Sequence, residues 1–349
     1  MKTYFTRMGD ASVTFMAEDE IRNDISDAVA LAAKKGKIPP LTQEDMDHLF
    51  EIITMPGNIV GVNPGDEIVS TSDSQSDKLF LNTGLSLERT QQALVHERCF
   101  GADSIDLGFP DYNFKAAKPC AGTESLAAKN GLNQLIIPFL YAGMPNLGFY
   151  TKPDGPVENW AELLPDGKIE EALAAQEAAV DYAVHDMVYI AEKMYKIGMD
   201  GINMDTAGAS GDADFLAALK ACEAIRTKFP DMGVEMGMAG EYVLGMHGKL
   251  TYDGVRLAGL YPHKQVALAE KAGATIFGAV VNTNSNKSFA WNIARSCTFI
   301  KECSNVSNIP VHVNVGMGVG GIPMCEYLPS DVASRADKAL VEICKIDGL

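Results

Sequence analysis

From about residue 100 the sequence alternates short apolar runs of strand length with helical stretches, and Gly, Asn or Asp stands at the junctions. Strands that are separated by helices pair in parallel, so this repeat predicts a parallel sheet that is covered by helices. Six strands are predicted, at residues 104–107, 135–141, 201–205, 233–238, 275–281 and 310–315, and a seventh begins near Asp347.

A parallel sheet of this many units is either an open doubly wound sheet or a (β/α)₈ barrel. The barrel is favoured because polar side chains end several strands, where barrel enzymes have their chemistry, and because no GxGxxG motif follows the first strand. Six strands cannot close such a barrel, since strand number, tilt and shear are linked. We therefore predict an α/β fold, a TIM-type (β/α)₈ barrel that is incomplete, with about six βα units.

The residues before the repeat have a different pattern. Apolar residues at helical spacing predict helices over residues 18–35 and 42–53, and Thr42 with Asp45 resembles a capping box in which Asp replaces Glu. Residues 56–90 are rich in Gly, Asn, Ser and Asp, as in a loop. We predict a helical N-terminal extension with a polar linker over residues 1–95 and the barrel over residues 96–349.

Composition limits the partners of the chain. With 29 Lys and Arg against 46 Asp and Glu, the formal charge of -17 repels nucleic acid and anionic membranes; it favours a cationic amine or serves solubility alone. The seven Cys are an odd number without regular spacing, no apolar signal core opens the sequence, and no apolar run approaches the ~18 residues that cross a bilayer. We expect a cytoplasmic protein that binds neither nucleic acid nor membrane.

Three residues near the ends of predicted strands are candidates for proton transfer. Asp205 precedes a loop of small residues, which makes it a candidate acid, base or cation anchor. Its alternative role is to cap the next helix, which Asp212 would do better. Glu241 follows the strand at 233–238, and His247 lies between glycines, a setting that is more typical of a turn or loop anchor.

Amides and glycines follow other strands. Asn282, Asn284 and Asn314 are candidates for orienting a substrate. The glycine run includes Gly316, Gly318, Gly320 and Gly321 and fits neither the Walker pattern nor the dinucleotide fingerprint. It is interpreted as a tight turn, as close approach of a large partner or flat cofactor, or as a phosphate loop.

No metal site is predicted. His96 and Cys99 are three residues apart, but no second pair stands near enough in the sequence to complete a zinc site. Met residues around two of the strands are interpreted as core packing or, alternatively, as a rim that receives a large planar cofactor.

Long and specific segments give the sequence a resemblance to the dimethylamine methyltransferases of methanogens. They are HER (96–98), FGAD (100–103), MPN (144–146), PDGP (153–156), GMAGE (237–241), VLGMHG (243–248), NTN (282–284), HVN (312–314) and GMGVGGIPM (316–324). The resemblance runs along the whole chain. It implies methyl transfer from dimethylamine to the cobalt of a corrinoid on a separate dimethylamine-specific protein, with monomethylamine as product, in methanogenesis from methylamines.

The chemistry that the resemblance implies needs groups for proton transfer and orientation, and position at a strand end is the only basis for choosing them. Asp205 and Glu241 would handle protons, and the amides of Asn282, Asn284 and Asn314 would orient the substrate, with His247 as a further candidate. The chain itself would bind no cofactor, because the partner presents the corrinoid, and the glycines from 316 to 321 would face it. We expect a homo-oligomer.

The family's electrophilic residue is pyrrolysine, encoded by an in-frame amber codon. In the family it follows a strand opening like Asp347-Gly348 almost at once, and a C-terminal segment comes after it. The resemblance therefore implies that the codon after Leu349 was taken as a stop. The expectation is that residues 1–349 lack the catalytic residue and the last barrel units and are inactive alone.

Three alternatives stay open. One is a corrinoid-dependent methyltransferase without pyrrolysine, which needs a complete barrel and a sense codon at the critical position. Another is a truncated, non-catalytic protein that binds a corrinoid partner. A third, a metal-dependent barrel lyase, would need a ligand set that the sequence does not offer.

Overall fold

The computed structural model describes residues 2–66, 68, 70–72, 104–108, 139–143, 147–209, 211–281, 285–315, 318–325 and 328–349. Its strands are β1 (Thr3–Arg7), β2 (Val13–Ala17), β3 (Ser70–Ser72), β4 (Ser104–Gly108), β5 (Phe139–Gly143), β6 (Gly201–Ala207), β7 (Gly233–Met238), β8 (Thr251–Tyr252), β9 (Val255–Arg256), β10 (Ile276–Ala279) and β11 (Val311–Val313). Its α-helices are α1 (Glu18–Gly36), α2 (Gln43–Thr54), α3 (Trp160–Leu163), α4 (Ile169–Lys196), α5 (Asp212–Lys228), α6 (Pro262–Ala272), α7 (Phe289–Val306) and α8 (Ser330–Glu342), and a 3₁₀ helix spans Leu147–Tyr150.

The large sheet has seven strands, and every pairing within it is parallel. The strands stand side by side in chain order, β3, β4, β5, β6, β7, β10 and β11. An isolated parallel bridge joins His312 of β11 to Gly348, which continues the same order at that edge. The fold is thus a mixed α/β fold with a parallel sheet.

All six predicted strands are present where the structure describes the chain, but the count of about six was one short. The missing strand is β3, which lies within the stretch that was interpreted as linker. Its three residues, Ser-Thr-Ser, contain no apolar run, so periodicity could not reveal it. The proposed boundary after residue 95 lies outside the described residues and stays a prediction.

Both predicted N-terminal helices are confirmed as α1 and α2. The Thr42 hydroxyl accepts from the Asp45 amide at 3.1 Å, and Asp45 accepts from the Thr42 amide at 3.0 Å, so the capping box is confirmed. The prediction of a helical N-terminal extension was incomplete, because β1 and β2 form an antiparallel hairpin ahead of α1. Tyr4 of this hairpin packs edge-to-face on Phe50 of α2.

One face of the large sheet belongs to the hydrophobic core. Alternate residues of the strands are fully buried and apolar on that face, including Ile202, Met204, Val234, Met236 and Phe277. They pack in one cluster with side chains of the covering helices, and each contributes roughly 1.5–3 kcal/mol relative to exposure. The residues between them point to the opposite face of the sheet.

Across the described ranges, none of the helices has the length and apolar character that crossing a membrane requires.

Candidate functional site

Polar residues occupy the other face of the sheet. Asn203 and Asp205 alternate with the apolar residues of β6, and Glu235 lies opposite Asn203 in register on β7. On the next two strands Gly278 is in register with both Gly237 and His312. We call this set the polar face; its members are Asn203, Asp205, Glu235, Gly237, Gly278 and His312.

Glu235 and His312 are in contact although β10 runs between their strands. The imidazole Nδ1 of His312 hydrogen-bonds the Glu235 carboxylate, and both residues are buried. Between their strands lies Gly278 of β10. A Cβ at Gly278 would lie 2.9 Å from the Cα of Gly237 and 3.6 Å from Oε1 of Glu235. Glycine at this position therefore allows β10 to pack closely against β7, and the Glu235 carboxylate lies at van der Waals distance from the same point.

The surroundings of His312 favour its charged form. Burial lowers the pKa of His312, but the charge of Glu235 and its hydrogen bond outweigh this, and the pKa is raised above its usual value. A backbone hydrogen bond with Leu349 and the charge of Asp205 act in the same direction. When protonated, the imidazole can donate from both ring nitrogens.

The side chain of Asn203 is buried, with 4% of its surface exposed. Its Oδ1 has no hydrogen-bond partner in the described part of the chain. This oxygen lies 2.9 Å from the position that a Cβ of Gly237 would take, so a side chain there would displace the amide. Asp205, two residues further along β6, is partly buried. The polar face thus combines two carboxylates, one imidazolium and an unpaired amide oxygen.

Glu241 lies in the loop after β7 and is paired with Arg295 of α7. Their closest atoms, Arg295 Nη2 and Glu241 Oε1, are 2.5 Å apart, and both side chains are buried. Ser288 caps α7 by accepting from the Trp291 amide at 3.1 Å, which fixes the helix that carries the arginine. Arg295 Nη1 has no partner within the described residues.

A cavity of about 280 Å³ adjoins Glu241. Its walls come from the loops after β6 and β7 and include Gly208, Ala209, Gly240 and Tyr242. The volume suits a small molecule or part of a larger one. Glu241 is therefore a buried, charge-paired carboxylate beside open space.

His247 makes its contacts within the loop after β7 and with α4 and α5. Its Nε2 is 2.7 Å from Glu177 of α4, and its Nδ1 accepts from the Lys249 amide at 3.3 Å. The amides of His247 and Gly248 both donate to Asp212 at 2.9 and 2.7 Å. These contacts make His247 a loop anchor. Asp212 holds this loop, and Gly211 instead occupies the N-cap position of α5.

The remaining predicted residues are placed only in part. Asn282, Asn284 and Gly316 lie outside the described residues, and Asn314 is exposed just after β11. In the glycine run, a Cβ at Gly320 would lie 2.2 Å from the Val315 carbonyl oxygen, and a Cβ at Gly321 would lie 2.7 Å from the Phe289 ring. Gly318 and Gly321 have positive φ angles of 96° and 79°. These contacts within the chain favour the tight-turn interpretation.

Sequence reasoning missed Asn203, Glu235, His312 and Arg295. A carboxylate in the middle of an otherwise apolar strand, as Glu235 is in Gly233–Met238, was an available signal because such a group needs a partner. Mid-strand glycines at 237 and 278 were a second signal of close approach. The pairing of Glu235 with His312 had no local signal, since 77 residues separate them.

A parallel α/β sheet with a buried face of carboxylate, imidazolium and amide groups is typical of enzymes, which concentrate perturbed ionisable groups at their sites. The sequence model of the family described as dimethylamine methyltransferase matches residues 2–349. The chain belongs to this family, and the resemblance found in its sequence is confirmed.

Two solved structures are similar at low identity. The carboxyl transferase domain of Rhizobium etli pyruvate carboxylase with 3-bromopyruvate is 9% identical, with a TM-score of 0.41 over 82% of this chain and 39% of that one. The apo homocysteine methyltransferase MmuM of Escherichia coli is 12% identical, with a TM-score of 0.37 over 79% of this chain and 97% of that one. This chain thus spans well under two thirds of the carboxyl transferase chain, and neither similarity carries an argument about chemistry.

Proposed function

We propose that this protein transfers a methyl group from dimethylamine to the cobalt of a corrinoid that a separate protein carries, giving monomethylamine. The observation that carries the proposal is the family match over residues 2–349. The buried polar face supports it with groups that suit a small amine. The reaction would serve methanogenesis from methylamines in the cytoplasm.

We also propose that the parallel sheet belongs to a TIM-type (β/α)₈ barrel. Seven parallel strands stand in unreversed chain order, and the bridge at Gly348 adds the start of another strand beside β11. This order is that of a TIM-type (β/α)₈ barrel, whose interior and strand ends carry the chemistry. The polar face would then be the inner face of the barrel.

The chemistry asks the chain to handle protons and charge. Dimethylammonium must lose a proton before its nitrogen can act, and Asp205 and the polar-face Glu235 are carboxylates that can accept it. In the transfer the C–N bond breaks with its electron pair left on nitrogen, and a Co–C bond forms with the electron pair of Co(I). Pyrrolysine, the electrophilic residue of the family that the sequence resembles, would supply an imine for the amine nitrogen. Glu241, fixed by Arg295, would polarise the site electrostatically.

An exposed apolar cluster suits a partner that approaches over the strand ends. Tyr242 and Leu244, which line the cavity, and Met246 of the same loop expose 48%, 44% and 49% of their surface, and such clusters mark contact surfaces. The corrinoid would enter on this partner, so the chain itself would hold no cofactor. We also propose a homo-oligomer.

The test is a methyl-transfer assay with enzyme purified from its own cells. The corrinoid protein is reduced to Co(I), and methyl-cobalt formation and amine products are followed with mono-, di- or trimethylamine. We expect one monomethylamine for each cobalt that dimethylamine methylates. Transfer from another amine alone, or no transfer by a folded enzyme, would contradict the proposal. The intact mass of the same protein tests for pyrrolysine.

A further inference from the structure

The unpaired oxygen of Asn203 points to a ligand. The residue is 4% exposed, yet its Oδ1 has no partner within the described residues. An unpaired buried polar atom costs free energy, and in native proteins such atoms are rare unless a ligand or an ordered water completes the bond. The oxygen is directed along the polar face, since it lies 2.9 Å from where a Cβ of Gly237 would stand.

The groups around this oxygen are acceptors. Glu235 is its register partner on the neighbouring strand, and Asp205, two residues further along β6, lies near enough for its charge to raise the pKa of His312. Two carboxylates against the single imidazolium of His312 leave the polar face with a net negative charge, which favours a cation. The required ligand is therefore a cation that donates hydrogen bonds.

The size of the ligand is limited by what the strands leave open. Gly237 and Gly278 present bare α-carbons, and a side chain at either position would meet Asn203 Oδ1 or the Cα of Gly237 at 2.9 Å. Such glycines keep backbone accessible to small groups.

We propose that Asn203, Asp205 and Glu235 form the binding site for the substrate as a secondary ammonium ion, an assignment that rests on the proposed function. A secondary ammonium has two N–H groups. Asn203 Oδ1 accepts one, and a carboxylate of Asp205 or Glu235 accepts the other. That carboxylate then takes the proton: the N–H bond breaks, its electron pair stays on nitrogen, and an O–H bond forms. His312 is a positioning residue that orients Glu235.

The site explains a preference for dimethylammonium over more highly methylated ions, because these ions have fewer N–H donors. Trimethylammonium has one N–H and leaves one of the two acceptors unpaired, and tetramethylammonium has none. Buried acceptors that lose their donor discriminate more strongly than a pocket that lacks one methyl contact. Selection therefore comes from hydrogen bonding on the polar face.

The test measures the binding of dimethylammonium and tetramethylammonium to the enzyme by calorimetry, together with thermal unfolding. Asn203→Leu keeps a similar volume and removes the acceptor. We expect it to weaken dimethylammonium binding roughly tenfold to hundredfold, the loss of a hydrogen bond to a charged group. The melting temperature should hold or rise, because an unpaired buried polar atom is removed.

The matched control is Gln176→Leu. Gln176 is also buried with an unpaired side-chain oxygen, but it lies on α4. This variant should bind dimethylammonium as the wild type does. Asn203→Asp keeps an acceptor and should retain more affinity than Asn203→Leu.

The outcomes distinguish failure of the proposed ammonium site from failure of the proposed methyl transfer. Equal affinity of wild type and Asn203→Leu, or equal binding of tetramethylammonium, overturns the ammonium site even if methyl transfer is normal. Weakened binding by Asn203→Leu supports the site even if no methyl reaches cobalt, in which case the proposed function alone fails. Absence of dimethylammonium binding by the folded wild type overturns the site.

Discussion

At the scale of single residues, the polar face depends on pairings that cross strands. Glu235 and His312 belong to β7 and β11, and their contact passes over Gly278 of β10. Each partner compensates for the cost of burying the other's charge. Asn203 beside them has no such compensation for its oxygen within the described residues.

Glu235→Gln should remove a pH dependence that the wild type has. Burial lowers the pKa of His312, and the Glu235 carboxylate outweighs this to raise it above the ordinary 6.5. A raised folded-state pKa gives stability that is fully present below the unfolded pKa of 6.5 and lost as pH rises through the folded pKa. The stability difference between wild type and variant should be largest near pH 6 and shrink towards pH 9.

Urea unfolding at a series of pH values measures this difference. Glu171→Gln, which alters an exposed carboxylate on α4, is the control and should shift nothing with pH. A difference between wild type and Glu235→Gln that is constant from about pH 6 to 9 would mean that His312 is neutral in the folded protein.

Arg295→Leu should destabilise the protein by roughly 3–5 kcal/mol, because it leaves the buried Glu241 carboxylate without its charge partner. The double variant Arg295→Leu/Glu241→Leu should recover most of that loss, since no unpaired charge remains. Denaturant unfolding of the two single variants and the double variant gives the coupling energy. Additive single effects would show that the pair carries no interaction.

At the scale of elements, most of the sheet could be predicted from sequence because its strands are apolar and separated by amphipathic helices. The strand at 233–238 was predicted with its observed bounds, and α2 with its capping box. The strand β3 has only Ser and Thr and becomes a strand through its pairing with β4, which no local pattern records. The hairpin β1–β2 was not predicted because its two strands have only five residues each and precede a longer helical pattern.

The candidate site was predictable only where it follows the chain. Strand ends identified Asp205 and Glu241, since a polar residue after an apolar run is visible in sequence. The partners of these groups come from distant segments: Arg295 is 54 residues from Glu241. Such pairings depend on how strands and helices align, which periodicity does not determine.

Gly278→Ala tests the close packing of β10 against β7. A Cβ there would lie 2.9 Å from the Cα of Gly237, which is backbone and cannot turn aside. We expect a loss of roughly 1–3 kcal/mol in unfolding free energy and a weaker contact of Glu235 with His312.

Gly61→Ala is the matched control, because a Cβ at Gly61 meets nothing within 4 Å. It should be neutral or stabilise by about 0.4–1 kcal/mol through the unfolded chain. Chemical denaturation measures both variants. Equal stability of Gly278→Ala and Gly61→Ala would contradict the packing described for the strands.

At the scale of the whole molecule, the parallel sheet separates two tasks. One face carries apolar residues into the core with the helices, and the polar face gathers groups from β6, β7, β10 and β11. The formal charge of -17 extends the same preference outward, because it attracts a cationic amine and repels polyanions. The charge and the polar face are thus consistent with the small ammonium substrate that we propose.

The most direct measurement is a crystal structure of the enzyme with dimethylammonium bound. The account predicts the nitrogen at about 2.7–3.2 Å from Asn203 Oδ1 and from a carboxylate oxygen of Asp205 or Glu235. Dimethylammonium bound elsewhere, for example in the cavity beside Glu241, with the polar face left to water, would contradict it.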